Sequence, residues 1–214
     1  MTRDPHSSPE RPATTVPGAR PSSAVKCPRC LFLANGCLCA DIPTVVTRTR
    51  VVIVRHTLER HRSSNSGRLA HLALPNSVLI DHGGTEGPAV MPPLDGAWLV
   101  YPSGDPWHTC PSPPPRQLVV LDATWSQARR MFRKLGALRG LPILRLPDVA
   151  APKERLREAP SPDRVSTIEA IAGALRLVEE DAQATILEDL FRRAVQQAAA
   201  TGRNVSRSPT LDEL

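Results

Sequence analysis

In "QLVVLDATWSQARRM", Gln117 to Met131, four apolar residues run into Asp122, Thr124 and Trp125 and then into a string of arginines. An unbroken apolar run of this length, bounded by polar residues, reads as a strand buried on both faces, the condition of a parallel sheet. From about Trp125 to Gly136, Ala128, Met131, Phe132 and Leu135 recur at helical spacing, and Arg129, Arg130, Arg133 and Lys134 fall on the opposite face. The stretch therefore predicts a core strand, a polar turn and a helix that is apolar on one side and basic on the other.

The same alternation extends along the chain. "RVVIVR" (Arg50 to Arg55), "SVLID" (Ser77 to Asp81), "AWLVY" (Ala97 to Tyr101) and "PILRL" (Pro142 to Leu146) read as further buried strands. Helices are predicted over Asn65 to Leu74, from "STIEA" onward, and over Ala182 to Ala200. Ser166 followed three residues later by Glu169 is a capping box, and Ile168, Ile171, Ala172, Leu175 and Val178 give that helix its core face. In the last helix Ile186, Leu187, Leu190, Phe191, Ala194 and Val195 are expected to be buried. The fold class is α/β, a mostly parallel sheet flanked by helices. The Gly- and Pro-rich stretches "HGGTEGPAVMPPLDG" and "PSGDPWHTCPSPPPR" are loops of a length that usually carries function or disorder.

The 214 residues suffice for one domain with a core, plus tails or a small module, and not for two full-sized domains. Residues 1–24, rich in Pro, Ser, Thr and Arg, read as a disordered leader, and 201–214 as a flexible tail. The formal net charge of +6 is carried mostly by arginine, since only Lys26, Lys134 and Lys153 are lysines. Arginine suits bidentate phosphate contacts, and a polyanionic partner is one reading of this bias; a GC-rich coding sequence is the other. No window has the apolar length of a membrane span and the first residues lack the apolar core of a signal peptide, so a cytoplasmic protein is expected, with reduced thiols.

"CPRCLFLANGCLC" spaces Cys27, Cys30, Cys37 and Cys39 as C-x2-C-x6-C-x-C. Four thiolates within so short a segment can close a tetrahedral zinc site with no open position, which makes the expected Zn2+ structural. Residues 25–43 then form a zinc knuckle, from which Lys26 and Arg29 could reach RNA. Cys110, alone in a Pro-rich loop, reads as a small residue.

Ligands of parallel α/β sheets bind beyond the carboxyl ends of the strands. Three polar segments stand at such places: "YPSGD" after one strand, "DATW" after the next, and "STIEA" at a helix start. Asp122 or Thr124 could simply cap the following helix, and Trp125 could be a core anchor. A fourth segment, "VRHTLERHRSSNSGRLA", brings His56, Glu59, Arg60, Arg62, Asn65, Ser66 and Arg68 into one polar loop and helix start, suited to phosphate or base contacts or to plain solvation.

Taken together, these segments resemble the DTW-domain family. The D-x-T-W motif is present as Asp122, Ala123, Thr124 and Trp125. The four-cysteine knuckle, the H-x-x-E…N-[ST] segment at His56, Glu59, Asn65 and Ser66, and the S-T-[IL]-E segment at Ser166 to Glu169 stand in the family's order. The resemblance covers roughly 26–190. One departure is Thr57, where many members have a proline after the histidine.

The resemblance implies a tRNA-uridine aminocarboxypropyltransferase, which moves the 3-amino-3-carboxypropyl group of S-adenosyl-L-methionine to N3 of a uridine, in bacterial members in the variable loop, and releases 5′-methylthioadenosine. It also implies a SPOUT-like catalytic domain over 44–200 with a C-terminal knot. Asp122 and Trp125 would then be catalytic. Tyr101, Pro102, Ser103, Thr124, Ser166, Thr167 and Glu169 would join them around the co-substrate. Lys26, Arg29, His56, Arg60, Arg62, Asn65, Arg68, Arg129, Arg130 and Arg133 would face tRNA. The rival readings are a SPOUT-type RNA methyltransferase and a non-catalytic zinc-containing RNA-binding protein. No sequence pattern fixes the oligomeric state.

Overall fold

A computed structural model of the chain describes residues 25–84, 87–148, 154–156, 165–202 and 205–207. Five strands form one wholly parallel sheet: β1 (Arg50–His56), β2 (Ser77–His82), β3 (Ala97–Val100), β4 (Gln117–Asp122) and β5 (Ile143–Leu144), in the spatial order β2-β1-β4-β3-β5. The helices are α1 (Ser66–Ala73), α2 (Trp125–Lys134), α3 (Thr167–Val178) and α4 (Asp181–Ala200). A two-stranded antiparallel ribbon, β6 (Glu154–Arg155) with β7 (Ser206–Arg207), stands apart from the main sheet, so part of the expected tail is paired. The expected strand over Pro142 to Leu146 shortens to Ile143–Leu144. The expected leader lies outside the described residues. The expected knot depends on the path through 149–153 and 157–164, which are also outside them.

The central strands are buried on both faces because helices cover both. Val51, Ile53, Leu118 and Val120 pack with α1, α3 and α4, whereas Val52, Val54 and Val119 pack with Met131 and Leu135 from the α2 side. Alternation along each strand thus sorts even the chemically similar valines of β1 onto opposite layers. Each fully buried Leu or Ile contributes roughly 1.5–3 kcal/mol, so the two helical layers are held unequally. Helix α3 buries seven residues, from Thr167 to Val178, and α2 buries only Ala128 and Met131. Its remaining surface carries the exposed Arg129, Arg130, Arg133 and Lys134.

In α4 the expected core face is corrected at one position. Ile186 is 40% exposed, and Ala184 and Ala198 complete the buried stripe with Leu187, Leu190, Phe191, Ala194 and Val195. The heptad-like neighbours of Leu187 take the inward positions, and Ile186 falls one residue outside them. Among the described residues no helix is long and apolar enough to cross a membrane.

The sheet order places a topological switch between β1 and β4: from β1 the chain moves out to β2, and from β4 the neighbours β3 and β5 lie on the other side. The carboxyl ends of β1 and β4 flank this crevice. In register, Arg55 stands between Asp81 on β2 and Asp122 on β4.

Candidate active site

Asp122 ends β4 on the layer shared with α1 and α3. It is 1% exposed. Its Oδ2 accepts from Asn65 Nδ2 at 2.5 Å and its Oδ1 accepts from Thr167 Oγ1 at 2.8 Å. Asn65 is the N-cap of α1, its Oδ1 accepting from Arg68 N at 2.8 Å, and Thr167 is the first residue of α3. Ser66 adds a second tie between the two helices, since its Oγ accepts from Ile168 N at 3.4 Å. The carboxylate therefore joins the end of a strand to the N-termini of two helices, the helix end that favours negative charge. Gly67 makes the approach possible: a Cβ there would sit 2.5 Å from the Asp122 carboxyl carbon.

Thr124 takes the capping role that Asp122 might have filled. Its Oγ1 accepts from Gln127 N at 3.4 Å, and its own backbone N–H donates to Gln127 Oε1 at 2.9 Å. Trp125 follows as the half-buried first residue of α2. The capping box at Ser166 and Glu169 forms as the sequence predicts, with Ser166 N donating to Glu169 Oε2 at 2.6 Å. Glu169 thus turns back on its own helix start, and no co-substrate contact is needed to explain it.

On the same layer, Arg55 is 5% exposed and grips Asp81 through two bonds, of 2.7 and 3.0 Å. Arg60 adds a third at 2.9 Å. Burial works to raise the Asp81 pKa, but these two guanidiniums hold it below the usual carboxylate value. Arg68 reaches backwards: its Nη2 donates to the Arg60 carbonyl at 2.7 Å and its Nη1 to the Arg29 carbonyl at 3.4 Å. Burial, seconded by Arg55, depresses the Arg68 pKa. Arg60 and Arg68, expected to face RNA, are engaged within the protein, and Asn65 is 3% exposed. Arg62 remains largely outside, leaning on Glu59 at 3.5 Å.

His56 lies on the opposite layer from Asn65 and Arg68. Strand alternation sends Val52, Val54 and His56 toward α2, so the single polar loop expected from the sequence is divided by the sheet. His56 stands in register with His82. Burial, then the charge of His82 and, more weakly, of Arg130, lower its pKa against the opposing pull of Glu59.

At the ends of β3 and β5, a cleft of about 470 Å³ is lined by Ser103, Gly104, Asp105, Pro106, Trp107 and Ile143. Two contacts brace its wall: Trp107 donates Nε1–H to the Ile143 carbonyl at 3.2 Å and meets Trp98 edge-on at 5.3 Å between centroids. Tyr101, just beyond β3, stacks on Phe132 of α2 at 4.3 Å. Ser103 in its lining and Pro102 next to it in the chain are both exposed.

The four thiols of the knuckle lie within 4.8 Å of one another. Cys27 and Cys39 are 3.6 Å apart and Cys30 and Cys37 are 3.8 Å apart. A tetrahedral ion about 2.3 Å from each sulfur would set them about 3.8 Å apart, so the donor set fits zinc. Backbone N–H groups of Cys30 and Arg29 hold the Cys27 thiol down to about 6, and burial pushes Cys39 up to about 12. The knuckle is not a separate bead: Cys30, Phe32 and Leu38 belong to the same core as α1, α3 and α4. Cys110 is exposed.

Residues 24–199 match the DTW domain family. The chain belongs to the DTW-domain family. A tRNA-uridine aminocarboxypropyltransferase 2 from Drosophila melanogaster is 27% identical to it over 172 residues, which cover 74% of this chain and 68% of that protein. No solved structure matches the chain.

In this DTW domain the three helix-start and strand-end segments, D-x-T-W, N-S and S-T-I-E, meet through Asp122. Four participants escaped the sequence reading: Arg55, Gly67, Asp81 and His82. The charges at three aligned strand ends, "VRH", "IDH" and "VLD", were the available signal for Arg55, Asp81 and His82. Gly67 gave only its place one residue inside a helix start, where glycine is otherwise unfavourable.

Proposed function

We propose that this chain transfers the 3-amino-3-carboxypropyl group of S-adenosyl-L-methionine to N3 of a tRNA uridine, by default in the variable loop, and releases 5′-methylthioadenosine. The observation that carries the reading is the meeting of the family's three motif segments at one buried carboxylate. The activity for which the Drosophila relative is named supports the substrate class.

The uridine N3 electron pair forms the new bond to the γ-carbon, the carbon–sulfur pair returns to sulfur, and the N3 proton passes to water. Whichever sulfonium carbon lies about 3–3.5 Å in line with N3 reacts, so selectivity is a matter of placement. We assign that placement to the strand-end frame. Asp122 acts as a positioning residue, since both its oxygens already accept from the protein. Thr167, Ser166, Thr124 and Glu169 fix the helix starts around it. Trp125 offers an aromatic face to the uracil or to the sulfonium, a contact worth roughly 0.5–2 kcal/mol.

The cleft beside Tyr101, Pro102 and Ser103 is the proposed seat of the co-substrate. The exposed Arg129, Arg130 and Arg133, with Arg62, Lys26 and Arg29, are proposed to hold the tRNA backbone. Cys27, Cys30, Cys37 and Cys39 are proposed to hold a structural Zn2+. The scaffold is proposed to be SPOUT-related.

The test is incubation of unmodified tRNA with S-adenosyl-L-methionine, followed by analysis of nucleosides and by-product. The expected products are an aminocarboxypropyl-uridine and methylthioadenosine. S-adenosylhomocysteine would instead assign methyl transfer, and failure to bind the co-substrate at all would leave a non-catalytic RNA-binding protein.

A further inference from the structure

We infer that His56, His82 and Arg130 form a subsite for one phosphodiester of the RNA substrate, a reading that rests on the proposed tRNA-modifying function. The two histidines end adjacent parallel strands in register. Both belong to the layer that faces α2, since Val52, Val54, Val78 and Ile80 of the same strand faces pack with Met131 and Leu135. Arg130 is an exposed residue of that helix, and its charge is felt at His56.

The protonation of both rings follows from their hydrogen bonds. His56 Nδ1 accepts from Leu58 N at 3.2 Å, and His82 Nδ1 accepts from Ala89 N at 3.2 Å. A ring nitrogen that accepts a backbone N–H carries no proton, so each neutral ring presents its proton on Nε2. Both imidazoles therefore present Nε2–H as a donor. Burial and the mutual proximity of the rings favour the same neutral state at His56.

Two Nε2–H groups and a guanidinium offer donors and no acceptor. A base edge or a ribose hydroxyl group carries both kinds of group, whereas a phosphodiester presents only acceptors. Among the described residues, the turn after His82 leaves room for it. Gly83 has φ +81°, and a Cβ there would lie 3.7 Å from His56 Nε2, in the space an oxygen needs to approach. The site stands at the β2-β1 end of the sheet, away from the β3-β5 cleft, and continues the basic face of α2. That placement favours the RNA backbone over the carboxylate of the co-substrate.

The test uses the full chain with tRNA, comparing wild type with His56→Ala, His82→Ala, His82→Gln and Arg130→Ala by binding and by phosphate-ethylation interference. Each alanine variant is expected to bind tRNA roughly tenfold more weakly, the cost of a lost hydrogen bond to a charged group. The same single phosphate should drop out of the interference pattern in all three. His82→Gln, which keeps a donor, should restore it. Arg130→Ala should also lower the salt slope of binding by about one, and the histidine variants should not. Affinity for S-adenosyl-L-methionine should stay at the wild-type value throughout.

An unchanged interference pattern in Arg130→Ala and His82→Ala would overturn the subsite, as would a loss of co-substrate affinity. Inorganic phosphate perturbing both ring resonances as strongly as tRNA would overturn the assignment to RNA. If wild type binds tRNA yet forms no aminocarboxypropyl-uridine, the proposed function fails while the interference result still decides the subsite.

Discussion

Thr167, the first residue of α3, donates its hydroxyl to Asp122 at the end of β4 across 2.8 Å, with the carboxylate 1% exposed. This bond and the one from Asn65 tie two helix N-termini to one strand end, so the position of the motif segments and the stability of the fold share a cause. Thr167→Val keeps the shape and removes the donor, which costs about 1.5–3 kcal/mol for a bond to a charged group. Asp122→Asn removes the charge and one of the two acceptors: its amide can keep an oxygen toward Asn65 Nδ2 only by turning its NH2 to the Thr167 hydroxyl, which must then accept instead of donate. Both variants should lose stability and activity together, as measured by urea denaturation and initial rates. Loss of stability with undiminished initial rates in the protein that remains folded would separate this frame from the activity.

Gly67→Ala tests the same frame from the other side. Helix propensity alone predicts a gain of about 0.5–1 kcal/mol. The new Cβ would meet the Asp122 carboxyl carbon at 2.5 Å, however, and the neighbour is a fixed carboxylate rather than the end of a flexible chain. Overpacking of about 1–3 kcal/mol should win. The variant should unfold at lower urea than wild type; an increase in stability would show that the carboxylate can withdraw.

The strand "LVVLD" and the capping box at Ser166 were legible because their causes are local: apolar continuity, and a side chain reaching three residues along its own helix. The layer that each strand-end side chain joins was not. His56 and Asn65 stand nine positions apart in one polar segment, yet the sheet separates them, because facing depends on which helix covers which side. The pairing of Arg55 with Asp81 depends on register between strands joined through α1. Ile186 misled for a related reason: apolar character marks a candidate face, and only the packing of α4 against α3 decides its edge.

Metal removal should reach beyond the knuckle. Purified protein is expected to carry about one zinc per chain, and Cys30→Ser to abolish it. Cys30, Phe32 and Leu38 share the core of α1, α3 and α4, and Gly36 lies against Gln197 and Thr201 at the end of α4. Because binding free energy is folding free energy in such sites, chelation should lower the melting temperature of the whole domain in one transition. Protein that is free of metal yet melts at the same temperature would remove the structural role.

Acid should lower the stability of the chain in two stages whose order follows from the direction of the shifts. Burial, and then the charges of Arg55 and Arg68, lower the pKa of His71, and His56 is lowered by burial and His82. A histidine depressed in the fold binds fewer protons there than in the unfolded chain. Stability is therefore full above the ordinary value of 6.5 and falls as the pH drops through it toward the folded value. Asp81 acts later: its pKa lies below the ordinary 3.8, so its contribution is lost only as the pH falls through and below that value. Urea denaturation from about pH 8 to about pH 5 should show the first stage. His71→Gln should flatten it and leave the second, low-pH stage in place; a slope unchanged by that variant would exclude His71 as a source.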